Sequence, residues 1–74
     1  MTLTALITAA LADARNMPAD AMIYVDENLG GFAWQFHGTD HVQSGPIGYA
    51  AEHYFGSDIQ AVAQALTDAG YTVI

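Results

Sequence analysis

The stretch AMIYVDE-NLGG-FAWQFH, residues 21–37, decides the fold: two alternating runs flank a glycine-rich turn, which is the pattern of a β-hairpin. Side chains on a strand alternate between faces with period two. If Glu27 faces Phe32 across a four-residue loop, Ala21, Ile23 and Val25 share one face with Phe32, Trp34 and Phe36. The other face then carries Met22, Tyr24, Asp26, Ala33, Gln35 and His37. Closing the loop on Gly30-Gly31 slides the pairing by two residues and preserves both faces, whereas a three-residue loop would mix them. The core is expected under the apolar face.

Working outward, Thr2 is placed to cap a helix over residues 3–15, with Leu3, Leu6, Ile7, Ala10, Leu11 and Ala14 recurring at helical spacing. Pro18 disfavours helical geometry at Met17, so the helix should end near Arg15-Asn16. Its reverse face, Thr4, Thr8, Ala9, Ala12 and Asp13, is hardly polar and reads either as plain surface or as a seam against a second subunit. Beyond the hairpin, Gly38-Thr39-Asp40 reads as a turn into a short strand over 41–44. Residues 46–55 admit two readings, of which a short helix is preferred. Pro46 at a first helical position, with Ile47, Ala50, Ala51, Tyr54 and Phe55 following, favours a short helix. Alternation of Tyr49, Ala51, His53 and Phe55 fits a strand.

Gly56 then breaks the chain, and Ser57 with Gln60 forms a capping box for a helix over 58–69, whose stripe is Ile59, Val62, Ala63, Leu66 and Ala69. Gly70 is its left-handed cap, and residues 71–74 should return to the sheet as a final strand. The expected architecture is a single α+β domain over 1–74, a small antiparallel sheet with helices on one face. Ile23, Val25, Phe32, Trp34, Phe36, Val62, Leu66 and Val73, with parts of the first helix, are its expected core.

Composition limits what such a chain can do. It has 74 residues and no cysteine, so neither disulfides nor thiolate metal sites are available and packing must hold the fold. Eight acidic residues face a single cation, Arg15, giving a net charge of -7. A field of that sign repels phosphate backbones and anionic lipid, so direct nucleic-acid binding is not expected. A basic partner is favoured instead. Leu3 to Ala12 lack the positive flank of a secretory signal, and no run approaches the length of a membrane span. A cytoplasmic protein is the expectation.

Catalytic patterns are weak. Ser44 and Ser57 lack a strand-elbow-helix setting, Asp26-Glu27 sit at a hairpin tip where water solvates them, and Gly30-Gly31 lacks the flanking residues of a phosphate loop. No catalytic residue and no cofactor is assigned. His37, His41 and His53, with Glu52 and Asp40, are the one set with metal-ligand elements, but their spacing has no geometric reason behind it and no metal is assigned to them. The hairpin's outer strip, Met22, Tyr24, Gln35 and His37 with Asp26 beside them, suits contact with a protein.

In size, charge and class, this acidic, cysteine-free α+β chain resembles the small phage-encoded inhibitors of the anti-CRISPR type. The resemblance is one of profile, without a residue motif. It implies a non-enzymatic inhibitor, acting in the host cytoplasm, that docks on a basic surface of a nuclease or surveillance complex and blocks nucleic-acid binding or subunit recruitment. Tyr24, Asp26, Glu27, Gln35, His37, Asp40, Glu52 and Asp58 are the expected contacts. The alternative is a small homodimeric structural or accessory protein, and a metal-binding protein using the three histidines comes third.

Overall fold

The computed structural model of the chain describes residues 2–26, 28, 30–48 and 56–74. Helix α1 spans Leu3–Arg15, strands β1, β2 and β3 span Met22–Asp26, Gly31–His37 and Val42–Ile47, and helix α2 spans Ile59–Asp68 after a single 3-10 turn at Gly56–Asp58. The strands form an antiparallel sheet in the order β1-β2-β3. Both helices lie on one side of it, and the fold is α+β as the sequence pattern implies. No helix among the described residues is long and apolar enough to cross a membrane.

The hairpin faces are those expected, but the register is displaced by two residues. Val25, not Glu27, stands opposite Phe32, and Asp26 stands opposite Gly31. An even slip leaves every side chain on its face. Ile23 and Phe32 therefore meet Ile47 of β3 under the helices, each fully buried. Leu6, Ala10 and Ala14 of α1 and Val62 and Leu66 of α2 complete the core. Each helix contributes the i, i+4 positions of its stripe, as an amphipathic helix against a sheet must.

The helix ends show local chemistry at work. Thr2 Oγ1 accepts from the Ala5 N–H at 3.2 Å, capping α1, and Asn16 closes its far end. Gly70, at φ 98°, ends α2: its N–H donates to the Thr67 carbonyl at 3.0 Å and the Tyr71 N–H to the Leu66 carbonyl at 3.1 Å. That pair of bonds is a Schellman motif, and it turns Tyr71 back onto the core. The expected capping box is absent. Ser57 falls inside the 3-10 turn, and Asp58 occupies the cap position without a side-chain bond to the helix.

Residues 72–74 do return to the sheet, but in parallel. The Ile23 N–H donates to the Thr72 carbonyl at 2.9 Å and the Ile74 N–H to the Ile23 carbonyl at 2.8 Å, with Val73 beside Ile23. A parallel neighbour needs a long crossover, which α2 supplies.

β3 is longer than expected, and Pro46 and Ile47 belong to it rather than to a helix. The physical reason lies in the ladder. Because Ile23 directs its N–H and C=O outward to residues 72 and 74, the hydrogen-bonded pairs between β2 and β3 fall at Trp34–Gly45 and Phe32–Ile47. Pro46 lies between them with its nitrogen pointing away from β2. A proline there costs no ladder bond and blunts an exposed edge. The remainder of the 46–55 expectation, residues 49–55, lies outside the described residues.

Trp34 lies across Gly45. A Cβ at Gly45 would stand 2.7 Å from the indole Nε1, so only glycine admits the ring there. Trp34 and Val73 are half-buried against the core, whereas Phe36, expected there, is half-buried outside the core cluster with its ring beside Gly38, and Val25 is 42% exposed despite facing the helix side. The expectation that Val25 is core is thus corrected: α2 stops short of covering that end of β1. A last tie runs between layers, the Asp13 carboxylate of α1 accepting from the N–H of Gly48 just past β3.

Candidate protein-docking face

The side of the sheet away from the helices is built by the same alternation that builds the core. Across the ladder its rows are Asp26 beside Gly31, Tyr24–Ala33–Pro46, Met22–Gln35–Ser44, and His37–Val42. No described element covers it. Ala33, between two larger neighbours, is buried, whereas Met22 is 44% and Val42 54% exposed. Tyr24, Gln35 and Asp26 are half-buried and His37 is exposed. Apolar surface is therefore concentrated toward the His37 end, beside polar groups able to hydrogen-bond a partner.

Both ends of the face are turns. At the hairpin tip Asp26 Oδ1 accepts from the Asn28 N–H at 3.1 Å, so this carboxylate also orders the turn. At the other end the Gly38 N–H donates to the His41 carbonyl at 3.0 Å, closing the loop that carries Asp40, which is exposed. The amide nitrogen of Gln43 lies 2.9 Å from His41 Nε2, within reach to donate to it.

Of the expected contact residues, the structure brings Tyr24, Asp26, Gln35 and His37 onto one face and sets Asp40 at its rim. Asp58 is separated from them: it opens α2, in the layer on the opposite side of the sheet. Glu27 and Glu52 lie outside the described residues, as does His53. Among the described residues no group of three or more His, Asp or Glu side chains is arranged to hold a metal ion.

Among the described residues the carboxylates are spread over separate elements. Asp13 is on α1, Asp20 in the turn before β1, Asp26 at the end of β1, Asp40 in the β2–β3 turn, Asp58 in the 3-10 turn and Asp68 at the end of α2. Asp68 Oδ1 accepts from the Gln64 amide at 2.8 Å. Such a distribution sets a diffuse negative field rather than a row of phosphate-like charges.

Sequence reasoning missed Val42, Ser44 and Pro46. The signal for them was the four-residue loop Gly38–His41: once His37 is set opposite Val42, alternation alone places all three beside Gln35 and Ala33.

A concavity of about 370 Å3 opens where α2 leaves β1 uncovered, lined by Val25, Phe32, Ile59, Gln60, Ala63, Gln64, Thr67, Val73 and Ile74.

Compared with family models, curated proteins and solved structures, the chain matches none of them. Fold and face by themselves define a class: a small α+β domain with one sheet face under helices and the other uncovered among the described residues.

Proposed function

We propose that the protein is a non-enzymatic binding module that docks the uncovered face of its sheet onto a cation-rich protein surface. The observation that supports this most is the exposure of Met22 and Val42 on a face with Tyr24, Gln35 and His37 around them, in a chain whose net charge is -7. The two features act at different ranges. A diffuse negative field steers encounter over about one Debye length, ~8–10 Å at physiological salt, while apolar contact slows dissociation. The phage-type inhibitor of the anti-CRISPR kind is the reading that unites them: the domain sits on a basic surface of a nuclease or surveillance complex in the host cytoplasm, obstructing nucleic acid or an incoming subunit. Scattered carboxylates favour obstruction by a docked body over imitation of a DNA strand.

A second copy is a poorer occupant of this face, because pairing two chains of net charge -7 adds repulsion. The Ala/Thr face of α1 is also interrupted as a seam, since Asp13 is engaged with Gly48. A monomer is expected by sedimentation.

The test pairs salt with surface. Immobilised protein is exposed to purified nuclease and surveillance complexes at low and at molar salt, beside the variants Met22→Asp and Val42→Asp. Retention of a complex by the native protein at low salt, lost at molar salt and lost with either variant, is the expected result. Retention that ignores both variants would move the contact elsewhere, and turnover of a substrate by the chain alone would overturn the non-enzymatic reading.

A further inference from the structure

We draw no further inference here: the strongest candidate, the apolar groove between α2 and the uncovered end of β1 lined by Val25, Phe32, Ile59, Ala63, Val73 and Ile74, carries nothing because no feature among the described residues shows what covers it.

Discussion

The two sides of the sheet are made from the same three strands and behave oppositely. On one, Ile23, Phe32 and Ile47 are fully buried beneath Leu6, Ala10, Val62 and Leu66. On the other, Met22, adjacent to Ile23 in sequence, and Val42, in the same strand as Ile47, are 44% and 54% exposed. The difference teaches where selection for folding ends. A domain of this size has room for one core, so the exposed side chains of Met22 and Val42 on the second side add less to folding than Ile23, Phe32 and Ile47 do on the first.

The comparison breaks first, and most visibly, at Phe32. Truncation to Ala removes a fully buried ring at a typical cost of ~3–5 kcal/mol, close to the entire margin of a small domain. Loss of the cooperative thermal transition is expected for Phe32→Ala, and a melting temperature near that of the parent would mean the helices do not seal this side. Next comes Gly45→Val, which drives a methyl-bearing Cβ into the Trp34 indole; overpacking of this kind costs about 1–3 kcal/mol, readable as a lower urea midpoint.

Asp13→Ala tests the tie between layers. It leaves the N–H of buried Gly48 without its acceptor, for a loss of about 1–3 kcal/mol by denaturation, and Asn at the same position should recover part of that through its carbonyl oxygen. The smallest stability effect is expected on the uncovered side. Val42→Asp should change folding free energy by no more than ~0.5 kcal/mol while weakening partner binding at least tenfold, about 1.4 kcal/mol. If Val42→Asp instead unfolded the chain, the two sides would not be distinct in kind.

How far the sequence could be read follows from the range of each interaction. Faces of the hairpin depend only on alternation and on the parity of the loop, so they were legible even though the pairing of Phe32 with Val25 was not. Thr2 and Gly70 act within one helical turn and were equally plain. Pro46 was misread because a missing N–H is tolerated both at a helix start and on an outward strand edge, and the residues around it do not discriminate. Exposure of Val25 depends on where α2 stops over β1, and the Asp13–Gly48 bond joins groups 35 residues apart. Neither has a local signature. Of the candidate face, Tyr24, Asp26, Gln35 and His37 were legible from the hairpin, Val42 required the register of β3, and the placement of Asp58 required the whole fold.

Trp34 is the chain's sole tryptophan, and its indole spans the seam between β2 and β3 on the helix side. Nature has thereby installed an optical reporter. Its emission is expected to track the closing of that seam during folding and to stay constant when a molecule occupies the far side of the sheet, so that one unlabelled spectrum would separate loss of structure from occupancy.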